Sequence, residues 1–121
     1  MAILTDENYV DKAENVITRL KKNKAGRYLL TTSKIRNLLS LTSTLFDESK
    51  IKRFDQLTDR IAYLRVQYVY QAGREEAVKD LVEKGQILEA LKEIHTIESL
   101  QRFCRYMEAL VAYFRYHGGK D

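Results

Sequence analysis

The stretch YLRVQYVYQAGR, residues 63–74, decides the fold class because it fits two kinds of secondary structure. Apolar side chains at the even positions from 64 to 70 alternate with other residues, as in a β-strand. When the pattern is extended towards the N-terminus, however, an apolar residue recurs every three or four positions, which is the helical period. The members of this stripe are Phe54, Leu57, Ile61, Leu64, Tyr68 and Ala72. We therefore predict a long helix that Gly73 terminates.

The rest of the chain also favours helices, because it contains no proline and only five glycines. At 121 residues it is long enough for one domain with a real core. We predict an all-α fold, a compact bundle of five to six helices in a single domain, residues 1–121. The other predicted helices cover residues 6–22, a segment capped by Thr32 or Ser33 that runs to about residue 47, residues 75–84 and 86–95 on either side of Gly85, and residues 97–117 before Gly118 and Gly119.

Two of the predicted helices, the long one and the last one, are apolar on more than one face. A helix of this kind lies at the centre of the bundle or presents its second face to another subunit. We expect one helix to play each role. The sequence does not say which.

Positive charge is concentrated in the middle of the chain. Residues 15–74 carry thirteen Lys or Arg against four Asp or Glu, a net charge of +9, whereas the flanking segments carry −3 and −2. Residues 15–46 hold seven basic residues and no acidic one. Ordinary protein surfaces mix the two signs, so this segregation points to nucleic acid or another polyanion as a partner.

The long helix carries its own basic pattern. Arg53, Arg60, Gln67 and Arg74 follow one another at intervals of seven, which forms a slowly drifting row along a helix. Tyr63 and Tyr70 lie beside that row. Guanidinium groups and aromatic rings suit a long polyanion, but a solvated flank that keeps the helix soluble fits the same residues.

Catalytic and metal-binding patterns are missing from the sequence. His95 and His117 are far apart, and Cys104 lies on an apolar stripe, as a small core residue would. The acidic cluster after residue 74 is typical of a solvated helix start. We expect no enzyme activity, no metal and no cofactor. A single cysteine, an acidic N-terminus and no run of about 18 apolar residues predict a cytoplasmic protein without a membrane segment.

Three stretches taken together, LLTTSKIRNLLSL, YLRVQYVYQAGR and LQRFCRYMEALVAYFRYHGGK, resemble the small helical subunit of type III-A CRISPR effector (Csm) complexes. The resemblance covers the chain from end to end. It implies a small α-helical protein without nuclease activity whose copies stack head to tail beside the backbone subunits that carry the guide RNA (crRNA). The implied partners are the target RNA, the guide RNA, the backbone, large and other subunits of the complex, and further copies of the chain.

Our candidates for contacts to the RNA backbone are Arg36, Lys50, Lys52, Arg53, Arg60, Arg65 and Arg74. We expect them to contact phosphate and not to read bases. Arg65 lies near the core side of its helix, so an internal ion pair or a subunit contact fits it equally well. Lys34 is left without an assignment, and the basic residues 19–22 also suit a helix C-terminus. Two other functions stay open, namely a free-standing nucleic-acid-binding regulator, with LLTTSKIRNLLSL as half of a helix-turn-helix, and an adaptor for an acidic protein.

Overall fold

The structure, a computed structural model, describes residues 2–121 and contains six α-helices in that range. They are α1 (Tyr9–Thr18), α2 (Thr32–Glu48), α3 (Thr58–Arg74), α4 (Glu76–Lys84), α5 (Ile87–Lys92) and α6 (Ile97–Tyr116). A short 3-10 turn, Phe54–Gln56, precedes α3. The one β-type pairing among the described residues is an isolated bridge between Lys22 and Tyr28. The prediction of an all-α bundle of five to six helices is confirmed.

The last helix, α6, is the central element of the bundle. It packs along α1 and along α2. Its buried side chains are Leu100, Phe103, Cys104, Tyr106, Met107, Leu110 and Phe114. The Tyr106 hydroxyl also donates a hydrogen bond of 2.9 Å to the Gly85 carbonyl, which ties the α4–α5 junction to the core. Of the two helices with surplus apolar surface, α6 is therefore the enclosed one, and α3 carries the exposed face.

The helix directions create two distinct ends. Helix α1 runs parallel to α6, α2 runs antiparallel to α6, and α3 runs antiparallel to α2. The contacts that set these directions are Asp6–Arg102, Glu14–His117, Ser49–Gln101, Ser33–Asp121, Lys34–Glu75 and Glu48–Arg60. We call the end at which α1, α3 and α6 finish and α2 begins the upper end. Residues far apart in sequence meet there.

The boundaries of α3 correct the sequence prediction at both ends. The helix begins at Thr58, so Arg53 and the 3-10 turn precede it. It passes through Gly73 and finishes at Arg74, because Glu75 is extended (φ −131°, ψ 117°) and redirects the chain into α4. Packing of α4 back onto α3 places this turn, so a glycine stop is not needed.

Three other boundaries also differ from the prediction. The cap of α2 is Thr31, not Thr32 or Ser33: Thr31 is extended, and its hydroxyl accepts the Lys34 N–H at 3.3 Å. Helices α1 and α5 are shorter than the predicted segments 6–22 and 86–95. The predicted break at Gly85 is confirmed, and the residue after it, Gln86, has a left-handed backbone (φ 52°).

Candidate nucleic-acid interface

The exposed face of α3 combines aromatic, aliphatic and basic side chains. The large apolar residues on it are Tyr63 (59% exposed), Val66 (58%), Val69 (52%) and Tyr70 (61%). Ile61, Leu64 and Tyr68 on the opposite face are buried, as the helical stripe predicts. We call this surface the α3 face. Four large apolar side chains that share one exposed helix face make this surface a candidate for contact with a partner.

A row of polar side chains follows one flank of the α3 face. Arg60, Gln67 and Arg74 recur every seven residues, so the two arginines are separated by about 21 Å along the axis. The Arg74 guanidinium lies 5.7 Å from the centre of the Tyr70 ring. This stacking holds the cation beside the ring and leaves its N–H groups available to an oxygen ligand. Three of the four predicted members thus form the row.

Arg53 does not belong to the row, because it precedes the helix. Its Nε contacts the Asp55 carboxylate at 3.1 Å. Within residues 47–60, four acidic and four basic residues balance to zero net charge. The predicted loop cations Lys50, Lys52 and Arg53 therefore lie in an electrically neutral neighbourhood.

Glu48 organises the lower end of the α3 row. Its carboxylate accepts hydrogen bonds from Lys52 Nζ (2.7 Å) and Arg60 Nη1 (2.5 Å), and its side chain is 15% exposed. The hydrogen bond from Lys52, with the charge of Arg60, holds the pKa of Glu48 below its ordinary value. Lys50, by contrast, lies 4.8 Å over the Phe46 ring. Lys52 and Arg60 thus reach an external anion only in competition with Glu48.

The remaining candidates lie apart from this row. Arg65 is five residues beyond Arg60, about 140° around the helix, so it projects from the opposite flank. It is exposed, which corrects the expectation that it lies near the core side, and no carboxylate of residues 2–121 comes within ion-pair distance. Arg36 is exposed on α2 and lies near Asp121. Lys34, unassigned from sequence, forms an ion pair of 3.0 Å with Glu75.

Sequence reasoning missed a basic group at the upper end of the bundle. Lys22 and Arg27 are exposed in the connection between α1 and α2 and line one pocket with Lys120 of the C-terminal turn, whereas Lys24, exposed in the same connection, does not line it. The acid-free window of residues 15–46 was the available signal. That window spans the whole segment and does not by itself single out this loop.

Two further groups with reactive side chains, Cys104 and Asp80, are buried in the bundle. Burial, followed by the charge of Glu108, raises the pKa of Cys104 to about 12. Asp80, a member of the acidic cluster, is buried, accepts the Lys21 N–H at 2.9 Å and pairs with Lys84 at 2.9 Å. Across residues 2–121, no three His, Cys, Asp or Glu side chains come together as a metal site would require. In the same range, every helix is too short or too polar to cross a bilayer.

Comparisons with known proteins point in one direction. The family model described as Csm2 Type III-A matches residues 5–120. The chain is 71% identical over 121 residues to the CRISPR system Cms protein Csm2 of Streptococcus thermophilus, across the whole of both proteins. It is 48% identical over 126 residues to the protein of that name from Mycobacterium tuberculosis, covering 100% of this chain and 99% of the relative. The Enterococcus italicus protein is 31% identical over 128 residues, with 94% and 90% covered.

Proposed function

The chain belongs to the Csm2 type III-A family, and from that premise we propose that it is a non-catalytic small subunit of a cytoplasmic type III-A CRISPR (Csm) effector complex. Its role is to bind the target RNA strand, paired with the guide RNA, through phosphate contacts. Copies of the subunit stack head to tail beside the backbone subunits. Base specificity then resides in guide–target pairing, and the protein contacts the sugar–phosphate backbone.

The observation that carries the RNA role is the flank of the α3 face. Arg60, Gln67 and Arg74 follow a line about 21 Å long on a rigid helix, and Tyr63 and Tyr70 lie beside them. A line of donors with this spacing suits a strand that runs along the helix. Arginine is well matched to it, because the planar guanidinium group can offer two N–H donors to one phosphate.

Stacking requires two different surfaces on each copy. The apolar flank of the α3 face, which includes Val66 and Val69, supplies one surface for a protein neighbour. The acidic residues after position 74 contribute less to stacking than their number in the sequence indicates, because some of them form ion pairs within the chain. The internal pairs involve Glu75 with Lys34 and Asp80 with Lys84. We therefore assign more of the stacking energy to apolar contact than to charge.

The experiment replaces Arg60 and Arg74 together by Ala and builds the complex with this variant subunit. Target-RNA affinity is then measured across a salt series. Each lost phosphate contact should reduce the log–log salt slope by about 0.7. These reductions should add over the stacked copies, so the losses in affinity multiply. Arg53 is left unchanged, because it precedes α3 and does not belong to the row.

The matched control replaces Arg102 and Arg105 on α6 by Ala. Arg102 pairs with Asp6 on another side of the bundle, at 2.8 Å, and Arg105 is exposed there. This control should leave the salt slope unchanged. Equal RNA affinity and equal slope for the α3 variant and the wild type would remove the row from the RNA path. Failure of the α3 variant to assemble would instead assign the row to a protein interface.

A further inference from the structure

A pocket at the upper end of the bundle lies outside the α3 face. It has a volume of about 300 Å³ and is formed by the connection between α1 and α2 together with the turn that follows α6. Its lysine and arginine residues are Lys22, Arg27 and Lys120, and His117, whose Nε2 lies 2.8 Å from the Glu14 carboxylate, also lines it. Segments separated by about ninety residues therefore bring three cations to one opening.

The α1–α2 connection is held in one conformation by its own hydrogen bonds. Asn23 donates its N–H to the Arg27 carbonyl at 2.8 Å, and its side-chain oxygen accepts the N–H groups of Ala25 (2.9 Å) and Arg27 (3.1 Å). Gly26 has a φ of +80°, a conformation that glycine adopts without strain. These bonds fix the backbone that carries Arg27.

The ring of Tyr28 fixes the other side of the loop. Lys22 Nζ lies 4.8 Å over this ring, and the ring packs against the buried Phe114 at a centroid distance of 5.2 Å. The core of the bundle therefore positions the Tyr28 ring, and the ring in turn positions the Lys22 ammonium group. Because Lys22 covers one face of the ring, that face is closed to a stacked base.

The three cations form no ion pair within the described residues. None of Lys22, Arg27 and Lys120 has a carboxylate of residues 2–121 within 4.0 Å. Asp121 also lines the pocket and carries a negative charge, and its carboxylate oxygen accepts the N–H (2.8 Å) and the hydroxyl (2.7 Å) of Ser33, more than 4.0 Å from the three cations. The lower end of the bundle differs, because Glu48 and Asp55 pair with its cations. Three cations against the one side-chain carboxylate of Asp121 leave the opening with a net positive charge, and an external anion would reduce the repulsion among the cations.

The pocket adjoins the α3 face through the first turn of α2. Thr31 lines the pocket, while Ser33 and Lys34 border a neighbouring groove that contains Arg74. The pocket and the groove beside Arg74 are therefore bordered by residues of the same first turn of α2.

We propose that this pocket is a second RNA-phosphate site, separate from the α3 row, at which Lys22, Arg27 and Lys120 bind one phosphate of the strand. The choice of RNA as the source of the phosphate rests on the proposed function. The volume is at the lower limit of ligand pockets, about 300–1,000 Å³, which suits one phosphate with part of its sugar. The contact is independent of base identity, because cations line the opening and Lys22 covers the ring.

The test compares Arg27→Ala/Lys120→Ala with Lys24→Ala in assembled complexes. Lys24 is an exposed cation of the same loop that does not line the pocket. The pocket variant should lower target-RNA affinity and reduce the salt slope by about 0.7 for each copy of the subunit in the complex, the value for one phosphate per copy. Lys24→Ala should change neither. Arg27→Lys/Lys120→Arg keeps both charges and should retain the wild-type slope, which a merely structural defect would not predict.

A second measurement uses the isolated chain with two probes, inorganic phosphate and a short mixed-sequence single-stranded RNA. Amide shifts of Gly26 and Gly118 should move with both probes and stay fixed in the pocket variant. An unchanged salt slope for the pocket variant, or tighter pocket binding by a poly-glutamate peptide than by the RNA, would overturn the proposal. Loss of RNA binding in the Arg60/Arg74 variant but not in the pocket variant would refute the pocket alone. Wild-type binding by both variants would refute the RNA role as well.

Discussion

A buried chain of hydroxyl groups joins α2 to α3 and offers the sharpest test of how the α3 face is held. Thr42 and Tyr68 are fully buried. The Thr42 hydroxyl donates to the Leu38 carbonyl at 2.9 Å, and the Tyr68 hydroxyl bonds to Thr42, with a longer contact of 3.3 Å to Leu38. Burial raises the pKa of Tyr68, so the phenol stays protonated and can donate its hydrogen.

The two single substitutions should differ in cost. Tyr68→Phe removes the terminal donor and leaves Thr42 bonded to Leu38, so we expect a loss of about 0.5–1.5 kcal/mol, one net hydrogen bond. Thr42→Val leaves the Tyr68 hydroxyl buried against a methyl group with only its long contact to Leu38. Because a stranded buried donor costs more than a lost bond, we expect about 1–3 kcal/mol.

The double variant should cost less than the sum of the two, because it removes both hydroxyl groups and strands neither. The expected coupling energy is about 0.5–3 kcal/mol. Urea unfolding followed by circular dichroism gives the free energy of unfolding for all four proteins, and equal m-values are needed for the comparison. Additive costs, or a larger cost for Tyr68→Phe than for Thr42→Val, would refute this account of the α2–α3 contact.

Three further predictions concern the end of α6, the α3 row and the thiol. Ala at Gly119 would place its Cβ 2.3 Å from the Phe114 ring, whereas Gly118 has open space but a φ of +97°. Both variants should unfold at lower temperature, with Gly119→Ala losing about 1–3 kcal/mol to overpacking; wild-type stability for Gly119→Ala would contradict this. Glu48→Gln frees two cations and should raise RNA affinity in filter binding at low salt, and weaker binding would refute the competition. Cys104, whose pKa burial raises to about 12, should react with a thiol reagent at pH 8 only after unfolding, so rapid labelling of the native protein would count against the buried position.

Much of the fold follows from local sequence, because helix formation depends on spacing and on residues that are near one another. Apolar residues at steps of three and four predict the face that each helix buries, and in α3 this period prevailed over the β-propensity of residues 63–74. Gly118 and Gly119 end α6 in a Schellman turn, with N–H groups donating to the Arg115 and Phe114 carbonyls at 3.1 and 2.8 Å. The excess of positive charge in the middle of the chain is likewise a property of the sequence.

Tertiary structure decided which apolar helix is enclosed and which cations are free, because burial and ion pairing depend on contacts between distant residues. α6 is central because α1 and α2 pack along it, and its own pattern did not distinguish it from α3. Glu48 lies twelve positions before Arg60 and neutralises part of the row, whereas Lys22, Arg27 and Lys120 meet only where the chain end returns to the α1–α2 loop. The sequence alone determined that the protein is helical and basic in its centre; packing determined where that charge is left without a partner.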